Sequence, residues 1–250
     1  MKRDPGDRGL YRNRIAANDL IRFQVVVKET DLLVLTERDI SDLVREIVLT
    51  QRDRLERFIA GNPVFRDTLV PIAVSGAAPG IAKAMALAGQ RAGVGPMAAV
   101  AGAVCETVAA GVGGSVRELI LENGGDLYVA SARERTVGIF AGCTGRDGTV
   151  GLRVTPDRTP IGICTSSGRI GHSLSFGDSA AATVLARSCA LADAAATAVG
   201  NRVRGTHGIR EGLAVARDIP GVLGAVVLRD GQLGAWGEVE LVGIQDAARP

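Results

Sequence analysis

The sequence predicts an α+β fold, with mixed or antiparallel sheets packed with helices in a single domain over residues 1–250. Strand-like segments cluster near both ends and in the middle, and stretches with helical period lie between them, without regular βαβ alternation. No internal repeat, linker or low-complexity tract divides the 250 residues. A chain of that length buries roughly 70% of its unfolded surface, so it needs no disulfide or metal staple to fold.

Ile21, Phe23, Val25 and Val27 alternate with Arg22, Gln24 and Lys28, which puts one apolar face inward. Glu29-Thr30-Asp31 breaks this run, and residues 32–36 read as the second strand of a hairpin. The period then changes. Ile40, Leu43, Val44, Ile47, Val48, Leu55, Phe58 and Ile59 share a helical face, and Gly61-Asn62-Pro63 stops that helix. A second helix is predicted over 78–91, with Pro79 tolerated in its first turn. Gly93-Val94-Gly95-Pro96 opens a third, made of small residues and closed by glycines 111–114. Strands follow at 118–121 and 127–130 around the turn Glu122-Asn123-Gly124-Gly125-Asp126, then at 137–141, 149–154 and 161–164. Residues 180–199 permit either one long helix or a strand leading into a helix that starts near Asp193. Asp230-Gly231 between 222–228 and 233–241 marks a final hairpin.

The 29 basic and 27 acidic residues leave a net charge of +2, which gives no field to steer a polyanion. Aromatic residues are only 3% of the chain, which disfavours base stacking, so no nucleic-acid partner is expected. Residues 1–10 are charged and lack an apolar core, so they read as a disordered tail rather than a signal peptide. The longest uncharged apolar run, 93–105, falls short of the roughly 18 residues a span needs, so no membrane partner is expected either. Cys105, Cys143, Cys164 and Cys189 are widely spaced, the usage of free thiols in a cytoplasmic protein. The expected partner is a small-molecule ligand, and a homo-oligomer is compatible with this composition.

Four segments carry candidate chemistry. Gly95 and Met97 flank Pro96 at a helix start whose free N–H groups suit an anion, although a tight helix corner accounts for them equally well. Asn123, Gly124, Gly125 and Asp126 form either a hairpin turn or a ligand-contacting loop. Cys164-Thr165-Ser166-Ser167-Gly168, with His172 close by, is the densest polar patch. Its hydroxyls and glycine after a strand suit phosphate or carboxylate, and Cys164 with His172 is the candidate catalytic pair. Asp193 and Thr197, four residues apart on a helix, place two oxygens on one face for a hard cation such as Mg²⁺, although the spacing alone favours Asp193 as an N-cap.

Together these segments resemble the short, UPF-type branch of the ApbE-like superfamily, distantly similar to the FAD:protein FMN transferases. Besides the segments above, residues 28–32, 94–102, 162–164, 171–175 and 192–198 carry the likeness, which spans nearly the whole chain. The resemblance implies an ApbE-like fold. It also implies Mg²⁺ held at Asp193 and Thr197 beside a flavin diphosphate (FAD or FMN), and ligand contact at Thr165, Ser167 and Gly168. The transferases carry a Lys-Gly motif and a following aspartate where this chain has Gly95-Pro96-Met97 and Val100. That departure implies a different substrate or reaction. The expected function is a Mg-dependent enzyme, a transferase or pyrophosphate hydrolase, or a binding protein acting on a flavin nucleotide or related diphosphate. A sulfur-handling protein using Cys164, or a non-catalytic binding module, are the alternatives.

Overall fold

The computed structural model describes residues 17–139, 150–167 and 177–243. Its centre is an antiparallel sheet of eight strands in the order β1-β2-β3-β4-β7-β8-β9-β10. These are β1 (Ile21–Val27), β2 (Thr30–Thr36), β3 (Leu119–Asn123), β4 (Asp126–Ala130), β7 (Ile161–Ser166), β8 (Ala181–Ala186), β9 (Val222–Arg229) and β10 (Gln232–Gly237). A second sheet orders β11 (Leu241–Gly243), β6 (Val150–Val154) and β5 (Arg135–Gly138). The helices are α1 (Ser41–Gly61), α2 (Pro63–Asp67), α3 (Gly80–Ala92), α4 (Val100–Val112), α5 (Cys189–Arg202) and α6 (Gly208–Asp218). This is the α+β class the sequence predicts.

Alternation along each strand divides the core between the two faces of the large sheet. Leu32, Val34, Leu121, Cys164, Val184 and Val227 pack among the helices. Leu33, Leu35, Ile120, Val129, Ile163 and Leu185 pack on the other side with Val137, Leu152 and Val154 of the small sheet and with Ile139 just after β5. Because both faces are covered, all seven residues of β2 are buried, including Thr30, Asp31 and Thr36. The Lys28 and Asp230 turns, each with a non-glycine residue at positive φ, close the first and last hairpins; the first turn comes at Lys28-Glu29, so Thr30 and Asp31, expected to break the run, already pair in β2.

The ambiguous stretch 180–199 is strand β8 followed by helix α5. Ser188 is the N-cap, its Oγ accepting from Leu191 N at 3.2 Å. Glu106 of α4 completes the cap, taking hydrogen bonds from Ser188 Oγ at 2.8 Å and Ala190 N at 3.0 Å. The helix therefore starts at Cys189, four residues before the expected point, and Asp193 lies inside it rather than at its cap.

Further corrections concern the backbone. The last strand, expected over 233–241, breaks at Gly237, where φ is +81° and a Cβ would lie 2.3 Å from the Leu223 carbonyl oxygen; β11 then joins the small sheet. The helix opened by Pro96 begins as a 3₁₀ turn, Pro96–Ala99, before α4. The segment 96–115 is a 20-residue helix long and apolar enough to cross a bilayer by length and composition. Its Gly102, Ala103, Cys105 and Val108 are buried against the sheet and α5, as in the core helix of a globular fold. Finally, α6 went unforeseen in the sequence.

Candidate functional site

The turn between β3 and β4 is built from Gly124 and Gly125, at φ +67° and +104°, conformations that favour glycine. It delivers Asp126, the first residue of β4, onto the helix-covered face of the sheet, where it is buried. Asp126 Oδ1 accepts from Thr165 N at 3.2 Å. The turn's own Gly125 N–H is taken by Glu122 Oε1 at 2.8 Å.

Helix α5 brings Asp193 to the same place. Its Oδ2 accepts from Gly102 N at 2.9 Å, and Asn123 Nδ2 donates to Ala101 O at 3.2 Å, so the β3–β4 turn, α4 and α5 lock together. Gly102 permits this closeness: a Cβ there would sit 2.3 Å from Cys189 O and 2.9 Å from Asp193 Cβ. Burial pushes the Asp126 carboxyl well above its usual range, and the charge of Asp193 adds to the push. Burial likewise raises Asp193 to about 8, against the pull of the Gly102 N–H and with further help from Cys189. Thr197, one turn on, is buried and shares the Asp193 face by its i,i+4 spacing.

The segments that the sequence singles out thus meet in part: the Asn123–Asp126 turn, Cys164, Thr165 and the helix segment of Asp193 converge, with Thr197 one turn further along that helix. Thr165 contributes its backbone N–H, because its hydroxyl turns to the opposite face and pairs with Thr183 Oγ1 at 2.9 Å. Ser166 is buried, its Oγ without a partner among the described residues, and Ser167 is half-buried. Gly168 and His172 lie outside the described residues. Gly95 stands in a tight corner, where a Cβ would fall 2.0 Å from Thr68 O, and Met97 packs against the helix-side core. Among the described residues no group of three or more His, Cys, Asp or Glu is arranged to hold a metal ion.

Cys164 requires a correction. Its strand continues to Ser166, so the thiol does not end at a polar loop but points into the core, with no exposed surface. There it meets Cys189, which is equally buried, and Cys105 lies in the same helix-side core. The Cys164 and Cys189 sulfurs are 3.7 Å apart, Cys164 also donates to Cys189 O at 3.4 Å, and Cys189 reaches Leu127 O at 3.3 Å. Hydrogen bonding to Cys189 and burial push the Cys105 thiol up, while Cys164 is raised first by burial and then by Cys189. Cys189 is lowered to about 6, because the other two thiols hydrogen-bond to it. Nothing in the spacing of residues 105, 164 and 189 signals this cluster, which only the folded topology assembles. Iodoacetamide should therefore leave all three unlabelled in the folded protein and modify them in denaturant. Rapid labelling of Cys164 under native conditions, read by peptide mapping, would contradict the burial.

Residues 12–225 match the model of the family described as AbpE bacteria. The chain belongs to that family. AbpE-type relatives include the UPF0280 protein MJ1526 of Methanocaldococcus jannaschii, 38% identical over 226 residues, covering 88% of this chain and 92% of that protein. The UPF0280 protein of Methanosphaerula palustris is 40% identical over 228 residues, with 88% and 92% covered. The fold is similar to that of a single-site variant of the flavin transferase ApbE from Vibrio cholerae, at TM-score 0.57 and 13% identity over 87% of this chain and 97% of that one. It is also similar to the apo flavinyl transferase ApbE of Pseudomonas stutzeri, at TM-score 0.50 and 15% identity over 87% and 94%. The ApbE-like fold expected of this AbpE family member is thereby shown.

Proposed function

We propose that this AbpE family protein binds a divalent cation together with a flavin nucleotide or a related diphosphate-containing ligand. One observation carries the reading: the Asp126 and Asp193 carboxylates are brought into one crowded region, where Gly102 N holds Asp193, Asn123 ties the β3–β4 turn to α4 through Ala101 O, and burial followed by the charge of Asp193 raises Asp126. A hard cation fits that donor set, two carboxylates with the Thr197 hydroxyl on the same helix face. The flavin transferases of like fold support the ligand class. A bound cation would neutralise charge on phosphoryl oxygens. The chain itself holds Asp193 in place through Gly102 N and Asp126 through Thr165 N. The missing Lys-Gly motif supports a reaction, or a binding role, other than transfer of FMN to protein. Cys164 lacks the exposure that a sulfur carrier needs, which favours the nucleotide reading over the sulfur-handling one.

Calorimetric titration of Mn²⁺ into the protein with FAD present tests the proposal. Asp193→Asn is expected to weaken Mn²⁺ binding on the order of tenfold or more, about 1.4 kcal/mol. Asp126→Asn should act in the same direction. Equal affinity in all three proteins would remove the site.

A further inference from the structure

The structure assigns a modification site that does not depend on the nucleotide reading: we propose that Cys164 and Cys189 form a reversible disulfide within the folded protein on reaction with a hydroperoxide. The two sulfurs already touch at 3.7 Å and must close by about 1.7 Å to reach a bond of roughly 2.05 Å. Their backbones are close as well. Gly162 lies directly beneath Cys189, where a Cβ would fall 2.5 Å from Cys189 Cα, and Cys164 stands two residues further along the same face of β7. Had residue 162 carried a side chain, α5 could not sit this near the strand. A disulfide spans so short a distance that this contact is its first requirement.

The chemistry needs one thiolate to begin. Cys189 is the first residue of α5, and its sulfur touches that of Cys164 at 3.7 Å, so once Cys189 loses its proton and reacts, Cys164 stands ready as the resolving thiol. The pocket admits no bulky disulfide reagent, since all three thiols are fully buried, but a small neutral peroxide can enter during local opening. The Cys189 sulfur attacks a peroxide oxygen, an S–O bond forms, the O–O bond breaks, and the departing hydroxide leaves as water with the Cys189 proton. The Cys164 sulfur then attacks the Cys189 sulfur, the S–S bond forms, the S–O bond breaks, and a second water leaves with the Cys164 proton. Two thiols are oxidised to one disulfide and one peroxide is reduced to two waters. The bridge consumes the S–H that Cys164 donates to Cys189 O, so it changes the hydrogen bonding at the start of the helix that carries Asp193.

The test uses the whole native chain exposed to dilute hydrogen peroxide, with free thiols blocked in denaturant and the protein digested without reductant. The expected result is a Cys164–Cys189 linked peptide pair, lighter by two hydrogens than the two thiol peptides and lost on adding dithiothreitol. Near-UV circular dichroism should stay that of the folded protein throughout. Cys105→Ala should still form the bridge, and Cys189→Ser should not. A folded protein in which Cys164 and Cys189 stay free while another thiol oxidises would overturn the proposal. A bridge from Cys105 to either of them would overturn it too.

Discussion

Gly102→Ala is expected to destabilise the fold by about 3 kcal/mol, lowering the thermal midpoint by roughly 6–12 °C at this chain length. The new methyl would meet Cys189 O at 2.3 Å and Asp193 Cβ at 2.9 Å, and neither can yield cheaply. Cys189 O belongs to the first turn of α5, which Ser188 and Glu106 fix in place, and Asp193 is bonded to the backbone N–H of residue 102 itself. To relieve the clash α4 must move off α5, which breaks that hydrogen bond and the support that Asn123 gives through Ala101 O. The effect should therefore appear twice, as a lower midpoint and as weaker Mn²⁺ binding. Gly80→Ala is the matched control. It lies in the first turn of α3 with nothing within 4 Å of its added Cβ, and alanine should be neutral or better there by up to about 1 kcal/mol. Equal midpoints for the two variants would show that the α4–α5 contact is not tight.

The strands were legible wherever one rule governed them. Period two in residues 21–27 and Asp230-Gly231 gave both terminal hairpins, since alternation and positive φ leave few other choices. The polar and glycine clusters marked the β3–β4 turn and Asp193 because such residues have little place in a core unless they bind something. Legibility ended where a residue's role is set by what packs over it. Asp193 resembles an N-cap in sequence, yet Ser188 holds that position because Glu106, 82 residues earlier, completes its cap. Thr165 and Ser166 are adjacent hydroxyls, but a strand sends them to opposite faces and pairs one with Thr183. Cys164 was misplaced for the same reason: two further residues of strand, formed by pairing with β8, turn a loop thiol into a core thiol. Helix α6 was readable but missed: Ile209, Gly212, Leu213 and Ala216 recur at helical spacing and turn one face to the core, with arginines and acids on the other.

Arg135→Met should cost about 3–5 kcal/mol, with a pH signature that separates lost charge from lost packing. The guanidinium is 4% exposed and binds Asp19 at 2.6 and 3.0 Å, Glu118 at 2.8 Å and Ser131 Oγ at 3.0 Å. Methionine occupies a similar volume but leaves Glu118 buried without its countercharge, and only Ser131 and the Ala132 N–H to hold it. In the native protein the hydrogen bond from Arg135 holds Asp19 at about 2. Burial works to raise Glu118, but hydrogen bonds from Ser131, Arg135 and Ala132 outweigh it and hold the carboxyl below its usual value. Groups with depressed folded pKa values add stability that is present above their unfolded values, about 4, and that is lost as pH falls toward the folded ones. Without Arg135, burial dominates at Glu118, its folded pKa rises above the unfolded one, and acid no longer weakens the fold through this group. The stability gap between native protein and variant should therefore be widest near pH 7 and narrow steadily toward pH 3. Urea unfolding at several pH values measures that gap. A constant difference would mean that Arg135 acts through its stem, and a gap under about 1 kcal/mol at pH 7 would mean that its ion pairs behave as exposed ones.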